Sequence, residues 1–355
     1  MGGTTICTVA DRAAPSLRAH RFLNSMSVAT GSSVVVVGAG ISGLLAADRL
    51  MNAGHQVVVL DKGRGVGGRL ATRRIATPDG RRATLDHGAQ FFTVRSDQFA
   101  TLVESWIEDG VVREWCRGFD GDDGHPRYVV SGGMTSLAKH IAKGLDVRTS
   151  TLVFSIGEDS RSESTGTGRY TVTIDDGTRL TADAVVVTCP IAQSYSLTVE
   201  SGIELPRDLL MADYDRTIGL LAVLDGPSGL DLPGGLQDPD EVFSWVGDNA
   251  MKGISDVPAL TCHANPQWSA EHWDDSIEDG TELLIEHARK YFGRSNCVVS
   301  EYKKWRFATP RRPWDEPFLA MGSLVFAGDA FAGPKVEGAS LSGLAAADHL
   351  LSILA

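Results

Sequence analysis

The sequence lacks any run of about 18 consecutive apolar residues, any excess of positive charge, any paired cysteines and the short signatures of common hydrolases. Each absence excludes a class. With 43% hydrophobic and 22% charged residues in a chain of 355, no membrane span is expected. A formal charge of -12 removes the footprint of nucleic-acid binding and opposes anionic membrane surfaces, so the expected partner is a small molecule, with no nucleic acid and no membrane. The five cysteines (Cys7, Cys116, Cys189, Cys262, Cys297) are odd in number and far apart. Without a CxxC pair they indicate neither a disulfide framework nor a zinc site, and a reducing, cytoplasmic location is expected. The lack of HExxH, G-x-S-x-G and P-loop patterns leaves metal, serine-hydrolase and nucleotide-hydrolysis chemistry without support.

What is present is organised around glycine. At this length a second core is the natural expectation. Residues 1–31 are a polar leader expected to be disordered; a transit peptide is the competing reading, weakened by Asp11 and the lack of an amphipathic period. Val34–Val37 is a β-branched strand, "ISGLLAADRLMNAG" a helix closed by Gly54, and "HQVVVLD" a second buried strand, which makes a βαβ unit. A Trp-bearing helix is predicted over Ser96–Asp109 and another over "SGGMTSLAKHIAKGL". Three or four strands follow between 146 and 188, with a turn at Asp176–Gly177 and a solvated hairpin tip at "GEDSRSESTGTG". The last sixty residues return to the first texture, with the strand "SLVFAGDAF" and a small-residue helix. The chain therefore leaves its first domain and returns to finish it.

Gly38, Gly40 and Gly43 form G-x-G-x-x-G between a strand and a helix. The first permits the tight turn, the second admits a pyrophosphate, and the third lets helix and strand pack closely, with the helix N-terminus facing the phosphates. Asp61 ends the next strand, where a carboxylate accepts hydrogen bonds from a ribose. A second cluster, Gly67, Gly68 and Arg69, distinguishes FAD from NAD: the glycines admit a longer cofactor and the guanidinium neutralises phosphate. Arg64, Arg73 and Arg74 read as solvated. Asp329, after Gly328 at a strand's carboxyl end, is placed to bind a ribityl hydroxyl, and Val336, Glu337, Gly338 and Ala339 open a helix facing the flavin's pyrimidine ring. Close helix packing also accounts for the small residues there.

These residues, with "DHGAQFFT", "SGGMTSLAKHIAKGLDVR", "HANPQWS" and "KKWRFATP", resemble the FAD-dependent amine oxidase superfamily, and within it the renalase-like branch, over roughly residues 33–352. The resemblance implies an α/β, p-hydroxybenzoate-hydroxylase-like two-domain fold. In it a Rossmann-type FAD-binding domain (32–75, 130–192 and 315–355) is completed by the C-terminal segment, and a mixed α/β substrate domain (76–129 and 193–314) is inserted. It adds Ser42 and Lys62 to the cofactor set, puts Ala89 and Gln90 near the flavin ring and Val153 at the adenine side, and makes Gln90, Trp305, Arg306 and His263 the catalytic candidates, with His87 a further substrate contact. The FAD is expected to be noncovalent, because no cysteine follows Cys297.

The implied reaction takes a hydride onto flavin N5 from isomeric dihydronicotinamide dinucleotides, with dioxygen as the electron acceptor. An amine oxidase or desaturase on the same fold, a non-catalytic flavin-binding module and an NAD-only dehydrogenase remain alternatives. A dinucleotide substrate requires a local basic patch in this acidic chain, for which Arg306, Arg311 and Arg312 are the candidates.

Overall fold

The structure, a computed structural model, describes residues 31–158, 169–199, 202–331 and 333–354. Residues 1–30 of the leader and the hairpin tip at 159–168 lie outside the described residues. The first buried run forms the strand Ser33–Val37, in the middle of a six-stranded sheet ordered Leu319–Met321, Leu324–Phe326, Ala184–Val187, Ser33–Val37, Gln56–Leu60 and Asp146–Arg148. All neighbours pair in parallel except the edge strand Leu319–Met321.

Alternation within that strand explains why its valines run unbroken. Val34 and Val36, with Ala184, Val186 and Val325, pack toward the helices Ile41–Asn52 and Val336–Ile353. Val35 and Val37, with Val185, Val187, Leu324 and Phe326, pack toward a three-stranded antiparallel sheet of Val153–Glu158, Tyr170–Ile174 and Arg179–Ala182. A parallel sheet covered on both faces has no polar side. The fold is therefore α/β with a Rossmann-like parallel sheet.

The N- and C-terminal parts of the sheet are joined by helix packing as well as by strand pairing. A Cβ on Gly343 of Val336–Ile353 would lie 2.2 Å from the Ser42 carbonyl oxygen of Ile41–Asn52, so the small-residue helix is small where it crosses the fingerprint helix. The helix Asp97–Glu108 begins where Ser96 caps it, its hydroxyl accepting from Phe99 N at 3.3 Å. The helix predicted from Ser131 starts only at Thr135. Gly132 and Gly133 have φ of 73° and 96°, which an α-helix does not allow.

Residues 214–310 build a five-stranded antiparallel sheet ordered Gly235–Gln237, Phe243–Asp248, Ala259–Ala264, Tyr214–Leu224 and Cys297–Pro310. One face buries Ile218, Leu220, Leu260 and Cys262 against the helices Pro266–Glu271 and Ile277–Ala288. Part of the other covers Ile75 and Leu85 of the hairpin Thr72–Ala76/Arg82–Asp86. The rest faces the cavity described next. Among the described residues, no helix is long and apolar enough to cross a membrane.

Candidate functional site

A cavity of about 1480 Å³ runs from the fingerprint turn to the five-stranded sheet. At one end Gly38 turns with φ 107° and its N–H donates to the Leu60 carbonyl at 2.8 Å. Gly43 does not line the cavity; its missing Cβ would stand 2.0 Å from the Gly38 carbonyl oxygen. Gly40 does line it, and a Cβ there would meet no protein atom within 4 Å. The second glycine thus leaves open space where a ligand backbone contact belongs. Ser42, also lining, has a buried Oγ without a partner among the described residues. An open cradle at a helix N-terminus, with its unpaired backbone N–H groups, fits the pyrophosphate of a dinucleotide cofactor.

Asp61 is half-buried and accepts N–H groups from Ala39 and Gly63, each at 2.6 Å. It clamps the fingerprint loop as well as lining the cavity. Lys62, its neighbour, donates to Gln193 Oε1 at 3.1 Å. Val153 lies at this same end, and Gly67, Gly68 and Ala89 line the middle.

The structure gives several expected site residues partners within the chain and moves others off the cavity. Arg69 and Asp329, assigned separately to phosphate and to a ribityl hydroxyl, form a bidentate pair at 2.5 and 2.6 Å. Arg69 also reaches the Phe307 and Ala308 carbonyls at 3.3 Å. The pair ties the second glycine cluster to the C-terminal strand end and to the roof, beside Gly328. Gln90 does not line the cavity: its amide is buried, donating to the Asp86 carbonyl at 2.8 Å and the Gly88 carbonyl at 3.1 Å. Gly338 is also absent from the lining, because its role is to admit the Gly333 carbonyl oxygen, 2.2 Å from where a Cβ would be. Val336, Glu337 and Ala339 do line it. The Glu337 carboxylate accepts from Arg95 N, Ser96 N and Ser96 Oγ at 2.9, 2.8 and 2.6 Å, so it holds the Asp97–Glu108 helix end. Of the expected basic patch, only Arg306 faces the cavity; Arg311 is held by Asp213 and Asp215 outside it, and Arg312 does not line it.

The other end of the cavity is roofed by Gln237, His263, Thr217 and Trp305 of the five-stranded sheet. Gln237 and His263 lie in one lateral row (Gln237 opposite Trp245, Trp245 opposite His263, His263 opposite Gly219), and Thr217 lies opposite Trp305 beside it. A register irregularity between Phe243 and Trp245 puts Phe243 in the core under the helices and Trp245 on the opposite face. That bulge is why an alternating reading of the strand does not find Trp245. Trp245, Trp115, Phe119 and Phe91 pack with centroids 5.0–6.4 Å apart, and Phe91 presents this cluster to the cavity.

His87 and His263 both line the cavity. The His87 carbonyl accepts from Trp305 Nε1 at 2.7 Å and contacts His263 Nε2 at 3.2 Å, and the His87 ring stacks on Trp305 at 5.3 Å. Burial pulls both imidazoles down to about 4, with Lys303 and Arg73 adding to the effect at His87 against an opposing Glu301. Neither ring is charged at neutral pH. Their folded pKa lies below the unfolded value of about 6.5, so the unfolded chain binds more protons between pH 4 and 6.5. Stability therefore falls as pH drops through that window, by at most about 3 kcal/mol for each ring. Urea midpoints at pH 7 and pH 5 should differ less in a His87→Gln/His263→Asn double variant than in the native protein; an unchanged difference would refute the assignment.

Sequence reasoning missed Lys252. It is buried, 3.0 Å from Asp86 Oδ2, and donates to the Gln90 carbonyl at 3.2 Å under the loop that carries His87, Ala89 and Phe91. In "DNAMKG" it reads as a turn lysine, and no spacing links it to Asp86.

Comparison with known proteins agrees with this geometry. Residues 110–351 match the family model described as flavin containing amine oxidoreductase, and residues 36–106 match that of the NAD(P)-binding Rossmann-like domain. A stretch of 61 residues, 17% of the chain, is 44% identical to the lysine-specific histone demethylase 1 homolog 1 of Arabidopsis thaliana. Another of 41 residues, 12% of the chain, is 61% identical to an L-amino-acid oxidase of Bothrops pauloensis. These matches span only 7% and 8% of those relatives. The fold is similar to that of cyclohexylamine oxidase from Brevibacterium oxydans, with a TM-score of 0.67 and 15% identity over 91% of this chain and 99% of that one.

Proposed function

Since the chain belongs to the flavin containing amine oxidoreductase family and is an FAD-dependent oxidoreductase, we propose that its substrate is an anionic, electron-rich small molecule of the dihydronicotinamide dinucleotide class, as in the renalase-like branch. One observation carries this reading. Eight lysine and arginine side chains line the cavity against three carboxylates, in a chain whose overall charge is -12. Each carboxylate is already engaged: Asp61 by backbone N–H groups, Asp329 by Arg69, and Glu337 by the Arg95–Ser96 turn. None is left to receive an alkylammonium group. Of the cations, Arg69 is held by Asp329 and Arg127 by Asp123, and the remaining six still exceed the two charges of an FAD pyrophosphate together with Asp61 and Glu337, which supports a second anionic ligand.

When bound, FAD would supply a two-electron acceptor at N5, with dioxygen as the terminal acceptor and hydrogen peroxide as its two-electron product. The chain's own groups bind and orient. Gly40, Ser42 and the start of Ile41–Asn52 would hold the pyrophosphate, Asp61 and Val153 the adenosine end, and Gly68, Ala89, Val336 and Ala339 the ring, without a covalent link. Phe91 and Trp305 wall the substrate chamber, and Arg306 takes a substrate phosphate. With pKa values pulled down to about 4, His87 and His263 are weak bases, which fits a reaction that needs none, because a dihydropyridine releases hydride directly. The p-hydroxybenzoate-hydroxylase-like division into FAD-binding and substrate domains belongs to the same reading.

Anaerobic mixing of the yellow protein with a mixture of 2- and 6-dihydro isomers should bleach the flavin, and an amine panel should not; the reverse pattern would overturn the proposal. Arg306→Ala should raise the apparent KM for the dinucleotide by roughly tenfold to a hundredfold, as expected for one charge-assisted hydrogen bond. It should leave the phosphate-free riboside little changed. Arg311→Ala/Arg312→Ala should not separate the two substrates.

A further inference from the structure

We propose that His263 is a hydrogen-bond acceptor of fixed tautomer that recognises an N–H donor on the substrate. The inference rests on the dinucleotide reading above, in which that donor is the ring carboxamide. A backbone carbonyl only accepts, so the Nε2 of His263, 3.2 Å from the His87 carbonyl, carries the ring proton. A neutral imidazole protonated at Nε2 has a bare lone pair at Nδ1. No partner of that Nδ1 is present among the described residues, and His263 is half-buried and lines the cavity.

Three neighbours fix the ring. The His87 carbonyl that receives its Nε2–H also receives Trp305 Nε1–H at 2.7 Å, so one oxygen sets two cavity walls. Gly219, directly opposite on the adjoining strand, leaves the ring its place: a Cβ there would stand 3.4 Å from His263 Cδ2. Trp245 is the neighbour on the other side. Burial keeps the imidazole unprotonated at neutral pH, so the lone pair remains available.

The consequence is discrimination rather than catalysis. A carboxamide brings an N–H to Nδ1. A carboxylate brings only acceptors and leaves the lone pair facing negative charge, an arrangement a site rejects strongly.

The test compares dihydro dinucleotides that differ only in carboxamide against carboxylate. The native protein should prefer the amide in kcat/KM by roughly tenfold to a hundredfold. In His263→Leu the preference should shrink to within about threefold, mainly through KM, and His263→Asn, whose side-chain oxygen restores an acceptor, should recover part of it. Gly219→Val crowds the ring without removing it and should also lower the preference, which keeps the test open if His263→Leu does not fold. An undiminished preference in His263→Leu would overturn the assignment. A changed flavin spectrum in that variant without substrate would overturn it too, since the ring would then serve the cofactor. If neither dinucleotide bleaches the native flavin, the substrate reading falls. The acceptor is then judged by binding of nicotinamide against nicotinate, followed in the flavin spectrum: a native preference for nicotinamide that His263→Leu loses supports it, and no preference refutes it.

Discussion

Gly40→Val should give a folded, colourless protein. Gly40 has φ -74° and ψ 177°, which valine adopts without strain, and its Cβ would enter open cavity space. The apo variant should therefore melt within a degree or two of native apoprotein, while FAD affinity falls by at least about a hundredfold, because the added methyls occupy the approach to the pyrophosphate. Gly43→Val should behave oppositely. Its Cβ would meet the Gly38 carbonyl oxygen at 2.0 Å, driving the helix off the strand, so the apoprotein itself loses stability, by about 1–3 kcal/mol or more. Absorbance of the purified proteins and apoprotein melting curves separate the two cases. A Gly40→Val protein with a full complement of flavin would remove the cofactor from this groove.

Lys252→Met should cost about 3–5 kcal/mol, the usual consequence of leaving a buried charge without its partner. Asp86 and Lys252 have side-chain exposures of 0% and 2%, and the Asp86 Oδ1 still accepts from Thr72 Oγ1 at 2.7 Å and Met134 N at 2.8 Å. Adding Asp86→Asn to Lys252→Met removes the orphaned charge while keeping an acceptor for both donors. The double variant should therefore regain most of the loss in chemical denaturation. A single variant within about 1 kcal/mol of native, or a double variant no better than the single, would show that the pair is not coupled. The Asp86–Phe91 loop is anchored by this pair, so Lys252→Met should also loosen the wall that His87, Ala89 and Phe91 present to the cavity.

The glycine fingerprint was legible because its chemistry is local. Gly38, Gly40 and Gly43 act within one strand, turn and helix, and the structure divides them into a turn, an open cradle and a packing contact. The valine runs announced a sheet covered on both faces, for the same reason of short range. Arg69 and Asp329 were both found, but their pairing was not. They are 260 positions apart, and each alone looks like a ligand for the cofactor. Gln90 was misplaced because its segment identifies the loop without saying which alternate side chain turns inward, and the buried Asp86–Lys252 pair draws it away from the cavity. Arg311 and Arg312 looked like a basic patch until Asp213 and Asp215 claimed the first of them.

The sequence by itself determined the parallel sheet and the phosphate-binding turn, since these follow from spacing over a few residues and from the conformational freedom of glycine; the flavin class came from the family resemblance of its motifs. Only the tertiary structure decided the far end of the cavity. Its roof draws Gln237, His263, Thr217 and Trp305 from four strands whose spatial order differs from their order in the chain, with a bulge beside Trp245, and its charge is set by which acids already have partners. Those relations arise from strand pairing and burial between distant segments, and no local pattern encodes them.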